Sequence, residues 1–313
     1  MTRRILITTG NGMFGHHLVA ELSNREDIQV RVMVRDVAKF TLTAANLEVV
    51  TADMDEPASL SEITKDISHV FLTSPMDEHI AAREGAVVNA AAANGSPMIL
   101  KLFGAVRHQG DALDQQHQDS IQHIKDSGLP WALISPNSVM ETSLDSLVDQ
   151  LPLGVIMGMS GTGKVGMVAL RDVARATAVV ATTDGHEGKN YELTGPTAFD
   201  MAEAAAAYSK VLDRKIEYID LPEAEFAKML LDYAGYTDPV ALETNVLCHL
   251  RAWKRGSAEL VTHTVAELTG QEPMTLGEWI AANQDTFRHD RKLVERLEGF
   301  LLKGKYRKNV LTE

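Results

Sequence analysis

Arg4-Ile5-Leu6-Ile7-Thr8-Thr9-Gly10-Asn11-Gly12-Met13-Phe14-Gly15-His16-His17-Leu18-Val19-Ala20-Glu21-Leu22 sets an apolar run, a Gly-x-Gly-x-x-Gly turn and a helix-period apolar pattern in succession. That order suits a dinucleotide pyrophosphate. Gly10 permits a tight turn after the strand, Gly12 lets backbone approach the phosphates because it has no Cβ, and Gly15 lets the helix lie close to the sheet. The helix N-terminus then offers unpaired N–H groups and a positive dipole end to the anion. A bare glycine pattern recurs by chance. Flanked by a β-like run, with Phe14, Leu18, Val19 and Leu22 on one helical face, it marks the start of a β-α-β unit. Gly10, Asn11, Gly12, Met13, Phe14 and Gly15 are therefore the expected diphosphate contacts.

Beyond this stretch, apolar runs at 29–34, 47–50, 69–72, 98–103 and 131–135 alternate with helical patterns over 58–67, 78–94 and 113–127. Such alternation with short connections predicts an α/β fold, a Rossmann-type doubly wound parallel sheet with helices on both faces. After Pro136 the pattern changes. Residues 151–166 are rich in glycine and methionine without a clear period. A helical pattern resumes at 170–182, a short strand-like run follows at 190–193, and helices dominate from 198 onward. The expected organisation is an NADP-binding domain over 1–150, to which 170–190 returns, and a smaller, mostly helical substrate-binding region over 151–313.

The second strand of a dinucleotide fold ends beside the adenosine ribose, where an acidic residue selects NAD. Here that place, 20 positions beyond Gly15, holds Arg35, with Lys39 one helical turn on. A guanidinium pairs bidentately with phosphate, so NADP(H) is expected over NAD(H), although the Asp36 carboxylate is also within reach of the ribose. By strand order, Asp53 and Met54 fall near the adenine, Thr73, Ser74 and Pro75 line the path to the nicotinamide, and Gly104 faces the nicotinamide.

Composition narrows the function. The 313 residues carry a net charge of −13, which disfavours a polyanionic partner such as nucleic acid. No apolar stretch approaches the ~20 residues of a membrane span, and the amino-terminal apolar run is interrupted too early for a signal peptide. A cytoplasmic location is expected. The single cysteine, Cys248, reads as a small buried hydrophobe, and no metal site is expected. Residues 158–165 nearly match the triphosphate loop Gly-x-x-x-x-Gly-Lys-[Ser/Thr], but Val165 replaces the magnesium-binding hydroxyl, so a loop near the active-site mouth is the preferred reading. The tail from Phe287 to Lys308 is locally basic and reads as a solvated helix, with a homodimer contact or a membrane-surface element as alternatives.

Short-chain dehydrogenases use a Tyr-x-x-x-Lys pair as proton donor. No tyrosine precedes Tyr191 here, so the dinucleotide region lacks that acid. A strongly electrophilic acceptor such as a quinone or a cationic dye needs less acid catalysis, and orientation against the nicotinamide would supply most of the rate. His117 is the candidate to assist. His108, Pro136, Asn137 and Met140 are the candidate lining of the substrate pocket.

Taken together, Thr9-Gly10-x-Gly12-x-x-Gly15, Val34-Arg35-Asp36, Asp53-Met54-Asp55, Ser127-Gly128-Leu129-Pro130-Trp131, Ser135-Pro136-Asn137-x-x-Met140-Glu141, Arg171-Asp172-Val173-Ala174 and Gly188-Lys189-x-Tyr191-x-Leu193-Thr194-Gly195-Pro196 resemble the NmrA-like atypical short-chain dehydrogenase/reductases. That family includes quinone oxidoreductases and triphenylmethane reductase. The resemblance implies a Rossmann domain, a small carboxy-terminal substrate domain and NADP(H) in the cleft between them, with cofactor roles on the glycines and Arg35. His117 occupies the helix that carries the reductase lysine in some members, Ser135 stands where many have arginine and Gly104 where many have serine. The expected activity is NADPH-dependent hydride transfer to a quinone-like or conjugated aromatic small molecule. The alternative is a non-catalytic NADP(H) sensor acting through a protein partner.

Overall fold

The computed structural model of the chain describes residues 3–106, 112–147, 150–233 and 236–288. The chain runs β1 (Arg3–Ile7), α1 (Met13–Leu22), β2 (Ile28–Val34), β3 (Leu47–Thr51), α2 (Leu60–Ile63), β4 (His69–Leu72), α3 (Ile80–Asn94), β5 (Met98–Leu102), α4 (Ala112–Asp126) and β6 (Trp131–Pro136). It continues through α5 (Met140–Leu144), β7 (Val155–Gly158), α6 (Leu170–Thr182), β8 (Lys189–Leu193), α7 (Met201–Leu212) and β9 (Glu217–Asp220). Helices α8 (Glu223–Tyr233), α9 (Pro239–Leu242), α10 (Cys248–Lys254), α11 (Thr264–Thr269) and α12 (Leu276–Ala282) complete it.

Seven strands form one sheet in the order β3-β2-β1-β4-β5-β6-β8, and every neighbouring pair is parallel. Most of these strands are covered on both faces, which is why they read as continuous apolar runs rather than alternating ones. One face carries α1, α6 and α11 over a core that includes Ile5, Ile7, Leu18, Val19, Val32, Leu100, Ile134 and Val173. The other carries α2, α3 and α4 over Leu6, Val70, Leu72, Val87, Val88, Ile99 and Ile124. Chain order reverses between β1 and β4, so the crevice outside their carboxyl ends is where such a fold binds a ligand.

The helical expectation over 58–67 is cut short. Only α2 and a preceding 3₁₀ turn, Pro57–Ser59, form there. Thr64 Oγ1 bonds back to the Leu60 carbonyl at 2.9 Å and Asp66 takes a left-handed φ of 58°, which ends the helix. A larger correction concerns the carboxy-terminal region. Residues 155–158 are a buried strand, β7, paired in parallel with β9 in a second, two-stranded sheet. Each strand has four residues, too few for a period to show. Helices α5, α7 and α12 pack around this sheet with Met140, Phe199, Tyr208 and Trp279, and Met157, Met159, Phe226 and Met229 form a further cluster. Reciprocal capping boxes, Asp200 with Glu203 and Thr275 with Glu278, start α7 and α12. No helix among the described residues is long and apolar enough to cross a membrane.

At the amino ends of β1 and β4, Arg3 Nη1 lies 3.1 Å from His69 Nε2. A guanidinium only donates, so Nε2 accepts and the neutral ring keeps its proton on Nδ1, 3.1 Å from Ser68 Oγ. Burial, reinforced by the Arg3 charge, pulls the His69 pKa down from 6.5 to about 4. The native state therefore binds fewer protons than the unfolded chain between those values. The contribution of His69 is complete above pH 6.5 and is lost as pH falls through 4, by about 3 kcal/mol in all. Urea unfolding at neutral and acidic pH should show a steeper acid loss for the wild type than for His69→Gln, and equal losses would refute the assignment.

Candidate functional site

The glycine turn is built by close backbone contact. Gly10 N–H donates to the Met33 carbonyl of β2 at 2.9 Å, and a Cβ at Gly10 would lie 2.2 Å from Val32 Cγ1. A Cβ at Gly15 would lie 2.1 Å from the Thr9 carbonyl oxygen. Thr8 Oγ1 donates to the Thr73 carbonyl at 2.8 Å and accepts from Thr73 N–H at 3.1 Å, which ties the ends of β1 and β4 at the crevice. Gly12 is the extended N-cap residue of α1. No side chain caps the helix and no acidic residue stands in its first turn. Asn11 and Met13 are exposed, while Phe14 is partly buried against the main core. An uncapped helix start with no Cβ at residue 12 fits a diphosphate, because first-turn amides without an intrahelical partner can bond an anion.

Arg35 follows β2 directly and is exposed, with no ion pair among the described residues. Asp36, next along the chain, is exposed too. Its carboxylate accepts from Ala38 N–H at 3.0 Å and caps the 3₁₀ turn Val37–Lys39, with Lys39 Nζ 3.6 Å away. The end of β2 thus exposes both the guanidinium and a carboxylate that caps its own turn. After β3, Asp53 Oδ1 accepts from Asp55 N–H at 3.0 Å, and Met54 is buried in the core under α2 and α3. Met54 is thus a packing residue here.

Between the ends of β4 and β5 lies a buried polar network that sequence reading saw only in part. Lys101 Nζ on β5 is 2.9 Å from the Glu84 carboxylate of α3, and each side chain is 1% exposed. Lys101 Nζ also lies 3.2 Å from His117 Nδ1 on α4. Glu84 accepts from Ser74 Oγ at 3.0 Å and from Ser120 Oγ. The His117 ring stands edge-on to Phe103, centroids 5.3 Å apart. Gly104 is exposed, with open space where a Cβ would sit, and Pro75 is exposed beside Ser74. Ser74 and His117, expected separately, are joined here through Glu84 and Lys101, which were not anticipated. The signal was present as a lone lysine inside the apolar run of β5 and a glutamate on the apolar face of α3.

The other expected pocket residues are placed differently. Pro136 is buried at the end of β6, and Met140 is 1% exposed within the carboxy-terminal core. Asn137 is buried, with Nδ2 donating to the Ala258 carbonyl at 2.9 Å and Oδ1 accepting from Ser138 N–H at 2.9 Å, so its amide ties β6 to the segment after α10. His108 and the tail beyond Arg288 lie outside the described residues. The triphosphate-loop lookalike has a packing explanation. A Cβ at Gly163 would meet the Trp253 carbonyl oxygen at 2.1 Å, one at Gly166 the Leu260 carbonyl oxygen at 2.0 Å, and Lys164 pairs with Glu203 at 2.9 Å. Cys248 is buried, with Sγ 3.1 Å from the Thr244 carbonyl. Asp172 is fully buried, accepts from Met274 N–H at 2.7 Å and pairs with Arg175, so it fastens α6 to the chain before α12.

Comparison with known proteins agrees with this architecture. The model of the NmrA-like family matches residues 1–280. The (4-alkanoyl-5-oxo-2,5-dihydrofuran-3-yl)methyl phosphate reductase of Streptomyces griseus is 30% identical over 291 residues, covering 90% of this chain and 99% of its own. The NAD(P)H azoreductase of Xenophilus azovorans is 28% identical, with 90% and 99% covered. The NADPH-dependent quinone oxidoreductase of Escherichia coli, crystallised with NADPH, superposes with a TM-score of 0.81 at 29% identity, covering 89% of this chain and 99% of that one. The chain belongs to the NmrA-like family.

Proposed function

From that membership, we propose that this oxidoreductase transfers hydride from NADPH to a quinone-like or other conjugated aromatic acceptor. The observation that carries the reading is the uncapped, glycine-built start of α1 facing the end of β2, where Arg35 stands exposed and Asp36 is occupied by its own turn. In this reading Gly10, Asn11, Gly12, Met13, Phe14 and Gly15 hold the diphosphate, and Arg35 with Lys39 holds the 2′-phosphate. Asp53 borders the adenine, while Thr73, Ser74, Pro75 and Gly104 border the nicotinamide path. A bound NADPH would supply the hydride at its nicotinamide ring.

The chain's own contribution is placement and a hydrogen-bond donor. His117 is the donor for the acceptor heteroatom on which negative charge develops. The relatives are named for a dihydrofuranone, an azo compound and a quinone. Each offers an electrophilic π system that spreads the incoming charge, which suits a site with no tyrosine acid before Tyr191.

NADPH oxidation followed by absorbance against quinones, azo dyes and unsaturated lactones should show turnover, with NADPH preferred over NADH. Arg35→Ala should raise KM for NADPH about 10- to 100-fold, the worth of a charge-assisted pair, and leave KM for NADH nearly unchanged. An NADH preference insensitive to Arg35→Ala would remove the NADP assignment. Tight binding without turnover across the panel would favour a sensor acting through a protein partner.

A further inference from the structure

We propose that Lys101 is a positioning residue that dictates which ring nitrogen of His117 carries the proton. The Glu84–Lys101 pair also joins the loop after β4 to α4 as one hydrogen-bonded unit. This deepens the reductase reading and rests on it for the chemistry, but not for the tautomer.

An ammonium group has three hydrogens to donate and no lone pair to accept with. Lys101 Nζ lies 3.2 Å from His117 Nδ1, so Nδ1 must be the accepting nitrogen and the neutral ring keeps its hydrogen on Nε2. A histidine held this way keeps its hydrogen on Nε2 without having to become an imidazolium. Phe103, edge-on at 5.3 Å, limits how far the ring can swing. Lys101 has a second partner in Glu84 at 2.9 Å, and the Glu84 oxygens accept from Ser74 at 3.0 Å and from Ser120. Ser74 on the loop after β4 and His117 on α4 therefore take their orientation from the same two charges.

Packing alone does not call for those charges. An apolar pair of similar volume commonly serves a protein interior as well as a buried ion pair does. An apolar pair, however, could neither donate to Nδ1 nor accept from Ser74.

The test uses the full chain with Glu84→Gln and Lys101→Met combined. Both charges are removed together. The introduced amide can still bond Ser74 and Ser120, while the introduced thioether cannot donate to the ring. Nitrogen-15 NMR of the ring of His117, assigned with His117→Asn and recorded without coenzyme at about pH 8, where a free imidazole is neutral, reads the tautomer directly. The wild type should show a protonated Nε2 and a bare Nδ1, and the double variant should shift toward an average of both tautomers. In turnover, kcat should fall about 3- to 10-fold, the loss of one orienting hydrogen bond, while KM for NADPH stays within about twofold of wild type.

A wild-type proton on Nδ1, or an unchanged tautomer in the double variant, overturns the proposal. Failure of NADPH to bind or turn over would instead strike the reductase reading and leave the tautomer result standing. Circular dichroism and thermal unfolding confirm that the double variant is folded. Should it fail to fold, Lys101→Arg with Glu84 kept supplies a group that donates and cannot accept, and a ring proton on Nδ1 in that variant refutes the proposal equally.

Discussion

Gly15→Ala is expected to cost the protein about 2 kcal/mol of stability and to weaken NADPH binding at least ~10-fold, although alanine is the better helix former. Two opposing effects decide the sign. Inside a helix, alanine is favoured over glycine by about 1 kcal/mol. Against that, the new methyl carbon would lie 2.1 Å from the Thr9 carbonyl oxygen and 2.8 Å from its carbonyl carbon, which are backbone atoms and cannot swing aside. The helix must back away from the strand-turn junction, at an overpacking cost of about 1–3 kcal/mol beyond the propensity gain. Moving α1 also carries its first-turn amides away from the diphosphate.

Gly85→Ala in α3 is the matched control. Its nearest neighbour would be His123 Nε2 at 3.5 Å, an ordinary contact, so that variant should be neutral or slightly more stable. Urea unfolding together with calorimetric titration of NADPH reads both quantities. A Gly15→Ala protein as stable as wild type with unchanged NADPH affinity would mean that the glycine contact does not position the site.

The contrast between Gly15 and Lys101 shows what was legible from sequence and what was not. The glycine pattern, the alternation of runs and the order of elements are local properties, and they led to the seven-stranded parallel sheet because each strand buried on both faces must be continuously apolar. The place of Arg35 directly after β2 was legible for the same reason, since its distance from the turn is set by one helix and one strand. The β7–β9 sheet was not. Its strands are four residues each, and α6, β8 and α7 intervene between them, so nothing local announces the partner.

The polar network is non-local in a different sense. Ser74, Glu84, Lys101, His117 and Ser120 sit on a loop, a strand and two helices, and only the crossing of α3 and α4 over β5 brings them together. Asn137 and Met140 mark the converse. Their position after β6 suggested a pocket wall, but the carboxy-terminal segments close over them, so one becomes a tie to the Ala258 carbonyl and the other a core residue.

Lys101→Met alone should destabilise the protein by about 3–5 kcal/mol, more than Gly15→Ala, whereas the charge-balanced double variant with Glu84→Gln should lose far less. Methionine matches lysine closely in length and is at home in an apolar strand, so packing contributes little to the loss. The cost comes from Glu84. It is fully buried in α3, and without Lys101 its carboxylate keeps, among the described residues, the two serine hydroxyls as partners in a medium too weakly polar to hold a lone charge cheaply. Removing both charges leaves a neutral amide on α3 with hydrogen-bonding neighbours and no unpaired ion. The coupling energy from the double-mutant cycle should therefore be several kcal/mol and favourable, as measured by urea unfolding of the two single variants and the double. Near-additive losses would show that the two side chains act independently and that water or other groups neutralise Glu84. A large coupling combined with an intact fold in the double variant is the condition under which the tautomer of His117 can be read separately from stability, since it separates what the pair does for the core from what Lys101 does for the ring.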